Sequence, residues 1–170
     1  NRASVADRLS GLAVLDVTKP AAVCFLSRLD TPGDASAVQV SGRYAYIADG
    51  PAGLQVVDVA DHQHLKLVGH CDIPQKACSV AVAGRWVWVT EPNSVQLIDA
   101  TTPSSPVAAP YSVKLGPYNK TQFFDGNAFI SSGQQGLLVF SNNAMGGFEM
   151  VDNLWSQTNN LPLVIPRSEE

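Results

Sequence analysis

One seven-residue pattern returns at a nearly fixed spacing, and this limits the possible folds more than any other feature. Gly11–Val17 (GLAVLDV) matches Gly53–Val59 (GLQVVDV) at an offset of 42 residues. Ser94–Ala100 (SVQLIDA) follows 41 residues later, and Gly136–Ser141 (GLLVFS) a further 42 on, with its Asp replaced by Ser141. The flanks repeat in step. Ser41–Ile47 (SGRYAYI) returns as Ala83–Val89 (AGRWVWV) and more loosely as Asp125–Ile130 (DGNAFI), while Asp30-Thr31-Pro32 matches Asp72-Ile73-Pro74. A period in this range marks a stacked or ring-forming repeat, in which no unit can bury its apolar faces alone.

Each period contains four short runs of strand-forming residues. In the best-preserved copy these are Val38–Val40, Tyr44–Ala48, Leu54–Val59 and Leu65–Gly69, separated by turns at Gly42-Arg43, at 49–53 and at 60–64. Valine, isoleucine and aromatic residues bounded by Gly, Pro and Asp are strand and turn chemistry. Such short turns make each strand antiparallel to the one before. No helical periodicity is sustained. The sequence therefore predicts an all-β protein, a β-propeller of about four blades with four antiparallel strands each. Alternation puts Tyr44 with Tyr46, and Trp86 with Trp88, on one strand face, and Ala45, Ile47, Val87 and Val89 on the other. Both faces are expected to pack between blades.

The segments GRYAYIADGPAGLQVVDVADHQHLKLVG and GLAVLDVTKPAAVCFLSRLDTPG resemble LVIVD repeats, with a Gly turn, an AYIADG strand, a GL-V-DV strand and a TxP-type turn. The resemblance covers roughly residues 2–140 and loosens in the last two copies. It implies a propeller, commonly on secreted or cell-surface proteins, and implies no activity, because the recurring residues belong to the scaffold.

The phase of the repeat places residues 1–152 in blades and 153–170 in a tail. Ala3–Asp7 aligns with Ala45–Asp49, so the first blade opens on its second strand and lacks an inner one. Phe148–Val151 reads as the last outer strand, giving fifteen strands. Two closures remain open. Either Leu163–Ile165 supplies the missing strand and closes a four-bladed ring, or the blades form an arc completed by another segment or subunit. The prolines at 162 and 166 favour the arc. An arc leaves strand edges that something must cover.

Composition narrows the function classes. The net charge is −4 and the 11 basic residues are dispersed, so no nucleic-acid partner is expected. No run of apolar residues is long enough for a membrane span, and Asn1–Ser10 carries no signal-peptide pattern. Three cysteines, Cys24, Cys71 and Cys78, cannot all pair with one another and read as free thiols. They leave an intracellular or organellar site open beside the extracellular one that the resemblance implies.

No catalytic, cofactor-binding or metal-binding set is visible. Asp16, Asp58 and Asp99 recur where a strand meets a turn, the place for a carboxylate that accepts turn N–H groups. His62 and His64 fall in a turn with no third ligand beyond Asp61. The inner-strand starts (35–37, 77–79, 121–122) carry small or polar residues, without converging carboxylates. Variable loops on one side remain: Asp30, Pro32 and Asp34; Asp72, Pro74, Gln75 and Lys76; Pro117, Tyr118 and Asn119; and the turn residues Glu91 and Asn93. These are the expected contacts of a non-enzymatic interaction scaffold, with other protein subunits as partners. The alternative is a central-channel ligand or enzymatic site completed by further blades. Asn119-Lys120-Thr121 is a glycosylation sequon, meaningful only in the secretory pathway.

Overall fold

The computed structural model describes residues 1–114, 116, 120–124, 127–133, 136–142 and 148–153. Fifteen strands fall into four antiparallel sheets. The first sheet has three strands, β1 (Arg2–Ala6), β2 (Leu12–Asp16) and β3 (Cys24–Leu29). The second has β4 (Ala37–Ser41), β5 (Tyr44–Ala48), β6 (Leu54–Asp58) and β7 (Lys66–Cys71). The third has β8 (Ser79–Ala83), β9 (Trp86–Thr90), β10 (Ser94–Asp99) and β11 (Val107–Lys114). The fourth has β12 (Lys120–Phe124), β13 (Asn127–Ser132), β14 (Gly136–Asn142) and β15 (Phe148–Asn153). In every sheet spatial order equals chain order, the consequence of hairpin-length turns. These are four propeller blades, the first without an inner strand among the described residues.

β4 lies beside β1 and β8, and β12 beside β8, so the inner strands sit together while the outer strands splay apart. Among the described residues β1 is hydrogen-bonded only to β2, and the blades form an open arc. The 153–170 tail, with its candidate closing strand at 163–165, lies outside the described residues beyond Asn153.

The alternating apolar residues do pack between blades. Leu12 of the first blade joins Ala45, Ile47 and Val57 of the second in one buried cluster. Tyr46, Val56 and Ala48 of the second pack with Val80, Val87 and Val89 of the third. Trp88 of the third, 1% exposed, sits with Ala128, Ile130 and Phe140 of the fourth. Two fibres of polar contact accompany these clusters. The Gln39 amide donates to Val82 O at 3.3 Å and accepts from Val82 N–H at 3.0 Å, and the Thr90 and Thr121 hydroxyls pair at 3.1 Å.

A feature that hydrophobic pattern does not predict is a register shift between the third and fourth strands of every blade. It falls at Val14/Leu15, Val56/Val57, Gln96/Ile98 and Val139/Phe140. A bulge adds local twist, here at matching places in all four sheets.

Candidate functional site

The structure puts the outer-to-inner loops and the turns between second and third strands on one side of the blades, and shows how each loop is tied down. Asp49, fully buried at the end of β5, accepts the Thr31 hydroxyl at 2.6 Å on Oδ1 and the Gly33 N–H at 2.9 Å on Oδ2. One period later Glu91, 2% exposed, accepts the Gln75 N–H at 2.8 Å and the Ser94 hydroxyl, while the Gln75 amide donates to Ser94 Oγ at 3.0 Å. In the fourth blade Ser132, 5% exposed, accepts the Gly116 N–H at 3.2 Å. In each of these three blades a buried acceptor grips the loop sixteen residues upstream. Burial pushes the Asp49 carboxyl above its usual range, against the lowering effect of the Thr31 and Gly33 donors.

Glu91, expected among the partner-facing residues, is buried with both its oxygens taken up by Gln75 and Ser94, so it holds the loop rather than presenting it. Asp30, Pro32, Asp72, Pro74, Gln75, Lys76 and Asn93 are exposed. Asp34 is partly buried and bridges neighbours: its Oδ2 lies 3.5 Å from Arg8 Nη1 and 3.2 Å from Lys76 Nζ, linking three blades. Such exposed pairs contribute at most about 1 kcal/mol each and weaken with salt. Pro117, Tyr118 and Asn119 lie outside the described residues, and so does the sequon's asparagine.

The recurrent turn aspartates lie at the opposite ends of the strands. Thr18, Ala60 and Thr101 each donate a backbone N–H to Asp16, Asp58 and Asp99, at 2.9, 3.0 and 2.8 Å. Asp58 also pairs with Arg43, and Asp16 with Arg2 at 3.0 Å. The Arg43 hydrogen bonds, then the Ala60 N–H, hold the Asp58 carboxyl below its usual range. Because its folded pKa lies below the unfolded one, this stabilisation is present above about pH 4 and is lost as pH falls through the folded value. The urea midpoint of Asp58→Asn should therefore fall short of wild type at neutral pH, and the gap should narrow as the pH is taken down through and below about 4. A gap that stays constant over that range would show that ionisation of Asp58 contributes nothing.

His64 Nδ1 lies 2.8 Å from Asp61 Oδ2 in an exposed turn, and no group of three metal-ligating side chains occurs among the described residues. No helix of the described residues is long and apolar enough to cross a membrane. Between the inner strands lies a cavity of about 550 Å³, reached by Ser4, Ser36, Gln39, Ser79, Lys120 and Gln122. Hydroxyls, amides and one ammonium line it beside Val5, Val38, Val80 and Phe123, with no carboxylate or imidazole among its described lining residues.

Four sheets joined by the same inter-blade packing and the same loop anchors define a β-propeller repeat protein. Its family follows from the sequence of those tiles: the LVIVD repeat matches residues 1–31, 32–73 and 74–109, and the chain belongs to the LVIVD repeat family. No curated protein matches it. Solved structures match the fold. One, from Bacteroides uniformis, carries a provisional 6-phosphogluconolactonase name and shares 18% identity, with a TM-score of 0.63 over 89% of this chain and 52% of its own. Another, a protein of unknown function from Desulfotomaculum acetoxidans, shares 13% identity with a TM-score of 0.64, over 89% of this chain and 51% of its own. The chain thus spans about half the length of these propellers.

Proposed function

We propose that the chain is a non-enzymatic interaction scaffold, an arc of propeller blades that docks into a larger protein assembly. The observation that carries this reading is the set of exposed loop residues from Asp30 to Asn93, varied in chemistry from blade to blade on a constant backbone. Light scattering during size exclusion tests the reading. The purified chain should elute above its 18.1 kDa monomer mass or co-purify with a stoichiometric protein. A monodisperse, stable monomer would sink it.

The central cavity favours a second reading, a small-molecule site completed by further blades. The Bacteroides name would put a sugar lactone there, whose hydrolysis needs a general base or a polarising group. The described lining offers only Lys120 as a charged group, so ligand binding fits it better than hydrolysis. Thermal shift with a phosphorylated sugar acid should give saturable stabilisation if this reading holds.

A further inference from the structure

The third blade departs from the others at one place, its outer strand. In the first, second and fourth sheets the bulge adds a single residue, as Val68 does between the pairs Val56–Gly69 and Val57–Leu67. In the third sheet Leu97 alone stands opposite Ala109, Pro110 and Tyr111, between the pairs Gln96–Ser112 and Ile98–Ala108. Bulges bend a strand and re-aim its side chains. A buried amide holds the widened one. Gln96, 4% exposed, donates to Leu97 O at 2.9 Å and to Ala109 O at 2.8 Å. In the second blade the Gln55 amide donates instead to Ala52 O, in its own turn. Beside the widened bulge lies a groove of about 400 Å³, the size of a small-molecule site.

The apolar lining of the groove is Trp86, Val107, Ala109 and Pro110. Trp86 and Ala109 also pack at the margin of the cluster shared by the third and fourth blades, which steadies the ring. Asp99, Thr101, Thr102 and Ser105 make the polar lining. Asp99 Oδ1 accepts the Thr101 N–H at 2.8 Å and the Thr101 hydroxyl at 2.6 Å. Its Oδ2 accepts no hydrogen bond among the described residues, and Arg85 Nε stands 3.9 Å away. Although burial raises it, the Thr101 hydroxyl and N–H and the nearby Arg85 hold this carboxyl below its usual range. Asp99 is therefore an ionised acceptor whose charge Arg85 balances. The groove is amphipathic, with an oxygen left to use.

We infer that this groove is a binding site for a neutral pyranose, whose apolar ring face lies on the Trp86 indole and whose hydroxyls donate to Asp99 Oδ2. The chemistry selects the class. An aromatic face carries negative potential and takes the C–H face of a sugar. A carboxylate oxygen without a partner asks for O–H donors, and such charge-assisted bonds are the strong ones. Acidic or phosphorylated sugars fit less well, because Asp99 repels them. A prolyl peptide also stacks on an indole, but its backbone brings carbonyl acceptors and no N–H where Asp99 needs donors. The groove shares no lining residue with the central cavity, and it lies at the strand ends opposite the interaction loops. It stands whether or not either function proposed above holds.

The test follows backbone amide shifts by NMR while the isotope-labelled chain is titrated with maltose, cellobiose, lactose and diacetylchitobiose, and separately with a tetraproline peptide. At least one sugar should move the amides of Thr102, Ser105 and Ala109 saturably. Trp86→Ala should abolish the saturation, and Trp86→Phe, which keeps a ring in place, should need more sugar to reach it. Asp99→Asn, which keeps the side-chain volume, should weaken binding about tenfold. Asp58→Asn, the same exchange at the corresponding turn of the second blade, should leave binding unchanged. No saturable shift with any of the sugars overturns the inference. So does equal affinity in Asp99→Asn, a matching loss in Asp58→Asn, or saturation by the tetraproline peptide alone, which would assign the groove to a peptide.

Discussion

Trp88→Ala is expected to destabilise the chain by about 3–5 kcal/mol, the range for emptying a buried aromatic site. The indole is 1% exposed at the contact between the third and fourth blades. Phe123 meets it edge-on at 5.8 Å between centroids, and Phe140 lies at 5.4 Å with the rings inclined by 59°. Backbone sheets on both sides limit collapse into the void, so the cavity cost adds to the lost burial. Trp86, two residues earlier on the same strand, is the internal control. It is half-buried, with the Arg85 guanidinium 4.6 Å over its ring. Its alanine variant should cost less than half as much, because water already reaches the indole and the cation–π contact of an exposed pair contributes about 0.5–1 kcal/mol. Urea midpoints decide the matter. Equal losses at the two positions would mean that the blade contact is not what Trp88 stabilises.

That contact was legible in the sequence, because two-residue alternation and a repeat offset are both read from one chain. The second strand of the repeat, Tyr44–Ala48, is found with the bounds the sequence predicts. Aromatic and β-branched residues fill it, and glycine turns close both ends. The outer strand is shifted, running Lys66–Cys71 rather than Leu65–Gly69. Exposed Lys66 and His70 dilute its apolar signal, and the bulge at Val56/Val57 moves its register in a way no local pattern records. Inner strands are longer than predicted for a related reason: Ala37 and Ser41 are small residues with little propensity of their own, held by pairing with β5.

The loop anchors were harder to see. Asp49, Glu91 and Ser132 share a role but not a side chain, since backbone N–H capture asks only for an oxygen at the right reach. Sequence similarity therefore breaks where function is kept. Each residue taken singly reads as a turn residue, and on that basis Glu91 reads as an open contact. The signal available was the constant separation of sixteen residues from the loop, visible only once one grip is known in three dimensions. The turn aspartates were easier because Asp16, Asp58 and Asp99 keep both type and phase.

Gly53→Ala is expected to cost about 2–5 kcal/mol, although it adds a single methyl group. Gly53 has φ +70°, and a Cβ built there would stand 2.4 Å from the carbonyl oxygen of Cys71, a backbone atom of the outer strand. Two penalties combine. A left-handed conformation costs an L-residue roughly 1–2 kcal/mol, and forcing strands apart in a packed sheet adds about 1–3 kcal/mol. The repeat makes this a general device: Gly11, one period earlier, has φ +71° and a Cβ position 2.3 Å from Leu29 O. In each case the third strand enters its sheet directly against the end of the outer one. Gly84 separates the two penalties. Its φ is +59° with nothing within 4 Å of the added carbon, so Gly84→Ala carries only the backbone cost, about 1–2 kcal/mol. Chemical denaturation of the two variants should therefore differ by more than about 1 kcal/mol, with Gly53→Ala the weaker. Equal midpoints would show that β6 and β7 relax apart without cost, and that the tight entry of each third strand does not hold the blade together.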